Sequence, residues 1–326
     1  MRNMRFPRIS GALLALFGLL IPWGSCGDDA HSAMLTEQME QKPCWILNHM
    51  NKSGGQTIKF MLLKWIEERD ITVGLFDSAE WKNGTAYAKK FLGYDFDLTW
   101  GAYAEGLRPY GVRPRCKWFT VFRHPVRRLV SAFYFCQTRV TDPLCAATVV
   151  RADEVDIFTF AEHWANFGLR QFAHAFVSPD TVMKSRMARQ CPDCPGWLLL
   201  KTYLDEVYDG SAQGPHAAPD AGMHHLLEPV ELLLRDNYTA VGILEQYNRT
   251  LHLFNASLGM SGVDWPSSFQ DLGVKNQDKL FDKDIRQATK KIMTDSTIKK
   301  FLQLDLLLYD HAVAVHNAQA AAYGLL

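Results

Sequence analysis

Three short apolar runs, each followed by an amphipathic segment, organise this chain. Trp45-Ile46-Leu47-Asn48 enters a turn at His49, and Ile58, Phe60, Met61, Leu62, Leu63, Trp65 and Ile66 follow at helical spacing. Lys117-Trp118-Phe119-Thr120-Val121-Phe122 is rich in the aromatic and β-branched residues of strands. Arg123-His124-Pro125 ends that run. Proline disfavours helix at the residue before it and suits a helix's first turn. Val126, Leu129, Val130, Phe133 and Tyr134 then recur at helical spacing. Ala240–Leu244 is the third strand-like run, with a helix predicted from Tyr247 to Leu258. Further helices are predicted over 155–176, over Leu226–Leu234 and over most of Ile285–Ala322. In the first of these, Phe158, Phe160, Ala161, Trp164, Phe167 and Leu169 form a core-facing stripe. Strands alternating with helices predict an α/β domain with a central parallel sheet flanked by helices. Ligands of such sheets sit at the carboxyl ends of strands, where Lys52 and Arg123 both fall.

The rest of the chain is less periodic. Residues 70–116 mix glycine, aromatic and charged residues without sustained periodicity and are expected to carry binding loops. Residues 209–221 read as a flexible loop, and Val274–Lys279 as an exposed polar loop. At the N-terminus, Arg2, Arg5 and Arg8 precede an apolar stretch from Ile9 to Trp23. A signal peptide fits that pattern, since spanning a bilayer comfortably takes about 20 residues. Residues 1–27 are thus a signal peptide or a signal anchor, 28–43 a polar stem, and 44–326 the folded domain.

The two turns after the first two runs carry candidate chemistry. A helix start offers free backbone N–H groups to an anion. Lys52 adds a mobile charge, Ser53 and Thr57 add hydroxyls, and Gly54-Gly55 lets backbone approach a ligand closely. Gln56 lies between them. The order is not that of a Walker A loop, whose lysine follows the second glycine. In the second turn, Arg123 ends the strand, and Arg127 and Ser131 are four apart on one helix face. A guanidinium fork and a hydroxyl at a helix start suit a phosphate. Read singly, the first turn divides evenly between an anion site and a solvated strand-to-helix turn, and the second reads as a solvated basic turn.

Together the stretches His49–Thr57 and Phe122–Ser131 resemble the paired nucleotide motifs of sulfotransferases that use PAPS (3′-phosphoadenosine 5′-phosphosulfate). The first is similar to the family's 5′-phosphosulfate loop and the second to its 3′-phosphate motif. The branch most resembled is that of the Golgi heparan 2-O and 6-O sulfotransferases. Gly242-Ile243-Leu244-Glu245 resembles that branch's late Gly-x-x-Glu, and Asp305 with Tyr309 its C-terminal helix. The resemblance spans about residues 44–316. Gln56 stands where the family has threonine, and His124 where it has Asp or Asn.

The resemblance implies a P-loop-like three-layer fold, PAPS as co-substrate and no metal. It implies that Lys52 and the loop Ser53, Gly54, Gly55, Gln56 and Thr57 hold the 5′-phosphosulfate, and that Arg123 and Ser131 hold the 3′-phosphate. The implied acceptor is a glycan or glycosaminoglycan hydroxyl, and the implied compartment the Golgi lumen, with a possible membrane anchor. Heparan 2-O and 6-O enzymes use a histidine base between the motifs, and residues 58–122 here contain none. Glu105 is the expected substitute, with Glu80, Asp95 and Asp97 as other carboxylates and His49 and His124 in reserve. The alternative is a protein of this fold that binds glycan or nucleotide without turnover. An ATP-using kinase-like enzyme fits less well, because the Walker lysine is misplaced.

Composition narrows the picture a little. Lys+Arg and Asp+Glu are both 35, so no overall field points to nucleic acid. Of seven cysteines, Cys26 lies in or beside the leader, leaving six, an even number that suits an oxidising compartment. Cys136 and Cys145 bracket a short loop and are a candidate pair; Cys191 and Cys194 are a tight bridge or two half-partners. Sequons at Asn83, Asn237, Asn248 and Asn255 fit the secretory route, whereas a glycan at the Asn51 sequon would block the site.

Overall fold

The computed structural model describes residues 44–75, 96–102, 104–110, 116–146, 150–173, 224–263, 265 and 282–326. The leader, the stem, Glu80, Asp95, the Asn83 sequon, Cys191, Cys194 and the loops 209–221 and 274–279 lie outside them.

Five described strands form one parallel sheet: β1 (Trp45–Asn48), β2 (Val73–Leu75), β3 (Leu98–Gly101), β4 (Lys117–Phe122) and β5 (Ala240–Ile243). Their order is β2-β3-β1-β4-β5. The helices are α1 (Gly55–Arg69), α2 (Pro125–Thr138), α3 (Pro143–Ala146), α4 (Ile157–Trp164), α5 (Phe167–Ala173), α6 (His224–Asn237), α7 (Tyr247–Leu258), α8 (Asp282–Ile292), α9 (Ser296–Phe301) and α10 (Gln303–Ala322).

The pleat divides each central strand between two cores. Trp45, Leu47, Phe119, Val121 and Ala240 face α1 and α7, packing on Ile58, Met61, Leu62, Leu251 and Phe254. Ile46, Trp118, Phe122, Val241 and Ile243 face the other way, toward α5, α6 and α10, packing on Phe172, Val230 and Leu308. Side chains alternate between faces along a strand, so a sheet covered on both sides needs apolar residues at consecutive positions. That is why β1, β4 and β5 are continuous apolar runs, and the three-layer α/β expectation holds. A third cluster joins α2, α4 and α9 through Leu129, Phe133, Phe160, Trp164 and Ile298.

Three features depart from the sequence pattern. The stretch expected to carry loops contributes β2 and β3, which pair in parallel with each other and, through β3, with β1. Runs of three and four residues hold too few periods to show alternation. The helix predicted over 155–176 is two helices. Asn166, at φ 53°, takes a left-handed conformation that breaks the turn, and its Oδ1 accepts from the Asp305 N–H. The third is a bridge between Cys44 and Cys116, 72 residues apart, which ties the residues just before β1 and β4. Closing so long a loop removes about 4 kcal/mol of unfolded-state entropy in the chain-entropy picture.

The expected Cys136–Cys145 bridge is present and joins α2 to α3. Two disulfides fit an oxidising, secretory-type environment. Among the described residues no helix is long and apolar enough to cross a membrane.

Candidate functional site

The site begins where the sheet changes direction. From β1 the chain moves to β2 on one side, and from β4 to β5 on the other. Between two such neighbours the crevice at the carboxyl ends stays uncovered by crossovers. β1 and β4 are in register there, Asn48 opposite Thr120, and the Thr120 hydroxyl donates to the Asn48 carbonyl at 2.8 Å.

After Asn48 the backbone turns tightly. The His49 N–H donates to the Gly101 carbonyl, and the Ser53 N–H to the Met50 carbonyl. Lys52 and Gly54 have φ of 64° and 83°. A lysine held at left-handed φ costs on the order of 1 kcal/mol, a strain that collects at functional loops. Helix α1 starts at Gly55 without a side-chain cap; the Thr57 N–H donates to the Gly54 carbonyl, and the Gly55 and Gln56 amides are left for another partner. The Ser53 hydroxyl is buried and has no hydrogen-bond partner among the described residues. Buried hydroxyls without partners are rare enough to ask what would fill the role.

Gly55 is required by His49. A Cβ there would lie 1.9 Å from the ring's Cδ2 and 2.2 Å from Nε2. Gly55→Ala must therefore displace His49 or the loop. We expect a stability loss of about 1–3 kcal/mol, read by denaturant unfolding. An unchanged midpoint would show that the ring moves freely. Burial, with Lys59 and Lys52 nearby, lowers the His49 pKa to about 3, so its imidazole is neutral at physiological pH.

Lys52 points at α2. Its Nζ lies 3.7 Å from the centre of the Phe135 ring. Burial and the neighbouring Arg123 lower its pKa to about 8, against a weaker opposing pull from Asp142. Among the described residues no carboxylate pairs with it, so the ammonium is in place but only partly compensated. The sequence analysis did not single out Phe135. Its signal was its place four residues after Ser131 and eight after Arg127, on the same helix face.

The second turn meets the first. Arg123 Nη1 donates to the Lys52 carbonyl at 3.1 Å, across 71 residues of chain. Burial pushes the Arg123 pKa down while Glu245 pulls it up. His124 caps α2 and Pro125 is its first residue. The His124 N–H donates to Glu245 Oε1 at 3.1 Å. Ser131 sits further along α2, half-buried, while Arg127 is exposed. Arg128, the next residue, belongs to the core: it pairs with Asp305 at 2.5 Å with both side chains 2% exposed.

Of the carboxylates expected as bases, the two among the described residues, Glu105 and Asp97, are engaged elsewhere. Glu105 is 0% exposed, in a short 3-10 turn, Ala104–Tyr110. Arg108 donates to both its oxygens and the Tyr238 hydroxyl to one of them. Arg108 lies 3.6 Å over the Trp118 ring, and Asn48 Nδ2 donates to the Tyr238 oxygen at 3.1 Å. This arrangement braces the sheet end; it does not present a carboxylate to an acceptor. Asp97 is also buried and accepts from the Thr72 N–H and hydroxyl, tying β2 to β3. No metal-holding group of His, Cys, Asp and Glu occurs among the described residues.

No protein-family model matches the chain, and no curated protein matches it.

Proposed function

We propose that the chain is a sulfotransferase that moves a sulfuryl group from PAPS to a hydroxyl, that of a glycan or glycosaminoglycan being the first candidate. One observation carries the reading. The Arg123 guanidinium touches the Lys52 backbone at the shared carboxyl edge of β1 and β4. Two anion-binding turns that close can engage one nucleotide bearing phosphates at both ends of its ribose.

In the proposed reaction the S–O bond to the 5′-phosphate breaks as the bond from acceptor oxygen to sulfur forms. The acceptor proton passes to a base, and adenosine 3′,5′-bisphosphate leaves. Like phosphoryl transfer, such a step needs in-line positioning and neutralisation of the leaving group. Lys52 would neutralise the departing phosphate. The amides of Gly54, Gly55 and Gln56 would cradle it, with the Ser53 and Thr57 hydroxyls alongside; the Ser53 and Thr57 amides already donate to the Met50 and Gly54 carbonyls. Arg123 and Ser131 would hold the 3′-phosphate, the group that separates PAPS from ATP. The proposal assigns this activity to the Golgi lumen, soluble or anchored by the N-terminus; the two disulfides support the secretory route it requires.

A second reading, a nucleotide- or glycan-binding protein without turnover, is favoured by one observation, the enclosure of Glu105. Two measurements separate the readings. Adenosine 3′,5′-bisphosphate should raise the melting temperature and ATP should not. Labelled PAPS should then pass its sulfate to a member of a panel of defined polysaccharides. Stabilisation without transfer to any acceptor selects the nucleotide-binding protein; no stabilisation removes the sulfotransferase and leaves only a glycan binder.

The lysine predicts the pH dependence of binding. Its folded-state pKa is near 8, and the anion needs the ammonium form. Affinity for adenosine 3′,5′-bisphosphate should change little near pH 7, where its phosphates (second pKa about 6) are already mostly dianionic, and should fall as pH passes through about 8. The limiting slope is about tenfold per pH unit above the midpoint. Titration calorimetry across that range checks it, and an affinity that rises with pH would overturn the role given to Lys52.

A further inference from the structure

Glu245 lies outside both motif stretches, in the short 3-10 turn Leu244–Gln246 that follows β5. β5 is the neighbour of β4, with Ile243 opposite Phe122, so this turn stands beside Arg123-His124-Pro125. Its carboxylate has two partners. Oε1 accepts from the His124 N–H at 3.1 Å, and Oε2 accepts from the Tyr309 hydroxyl at 3.0 Å. The Tyr309 ring also meets the His124 imidazole edge-on, with centroids 5.4 Å apart. The turn that carries Arg123 is thus held from outside by β5's exit and by α10.

We propose that Glu245, steadied by Tyr309, is a positioning residue that aims Arg123 and so sets the preference for a nucleotide bearing a 3′-phosphate. This rests on the donor reading above. Glu245 has two opposed effects on an incoming phosphate. As a hydrogen-bond acceptor it fixes the backbone from which Arg123 projects. As a negative charge near Arg123 it repels the ligand. Held at the start of α2, the carboxylate is also favoured by the helix dipole, which stabilises this placement.

Substitution separates the two effects. Glu245→Ala removes the acceptor and the charge; Glu245→Gln keeps an oxygen for the His124 N–H and removes only the charge. Calorimetry with adenosine 3′,5′-bisphosphate and with 5′-AMP, which lacks the 3′-phosphate, reads the preference directly. Glu245→Ala should weaken the bisphosphate by about tenfold and move 5′-AMP by less than about twofold. Glu245→Gln should match or exceed wild-type affinity for the bisphosphate. Tyr309→Phe should weaken it by about two- to threefold, and it does so with Glu245 intact, so a failure of Glu245→Ala to fold leaves the test standing. Equal losses for both nucleotides, no loss in Glu245→Ala, or a Glu245→Gln variant as weak as the alanine overturn the inference alone. Equal binding of the two nucleotides by wild-type protein overturns the donor reading, and the inference with it.

Discussion

Lys52→Ala should lower sulfate transfer from PAPS by about two to three orders of magnitude, the scale seen when one preorganised charge-stabilising donor is removed. The fold should persist. The side chain is only half-buried, and its recorded contact is with the Phe135 ring. The carbonyl that accepts from Arg123 belongs to the backbone and survives the change. Alanine at φ 64° carries the same left-handed strain as lysine, so the variant removes the amine and leaves the loop's conformational energy almost unchanged. Initial rates with labelled donor, alongside thermal unfolding, make the test. Wild-type turnover in a folded variant would end the sulfotransferase assignment. Lys52→Arg should restore little of the rate, because a planar guanidinium spreads its charge and does not deliver one compact ammonium to the departing phosphate oxygen.

Asp305→Ala should lower stability by about 3–5 kcal/mol, the usual loss when one partner of a buried ion pair is removed. Arg128 would be left as an uncompensated buried charge. The amides of Gly168 and Leu169, which donate to the same carboxylate, would lose their acceptor. The backbone at Gly168 is packed tightly on this pair: a Cβ there would lie 2.7 Å from an Arg128 nitrogen and 2.9 Å from an Asp305 oxygen. Replacing both partners by apolar residues of similar volume should recover much of the loss, since the charges also carry a desolvation cost. Denaturant unfolding measures both variants. A single variant within about 1 kcal/mol of wild type would mean that water or another group reaches Arg128.

Much of the fold was legible because it is written in local pattern. β1, β4 and β5 stand out as apolar runs since both faces of each are buried. The start of α2 follows from Pro125 and the extent of α7 from its periodicity. β2 and β3 escaped notice because strands of three or four residues take their identity from what they pair with. The break at Asn166 was equally hidden, because an apolar stripe continues on both sides of it. Cys44 and Cys116 could not be matched, since only the parallel register of β1 and β4 brings them together.

The two turns, their residue types and their position after strands were decided locally, as short-range properties of glycine, proline and hydrophobic spacing. What those residues face was decided by the tertiary structure. Strand order places Lys52 beside Arg123; packing sends Arg128 inward and Arg127 outward; burial turns Glu105 from a candidate base into a brace. Glu245 and Tyr309 reach the site from 121 and 185 positions beyond His124 and Arg123's turn by the same route, across neighbouring strands and a closing helix. A side chain's environment is set by everything that packs around it, and most of that comes from far along the chain.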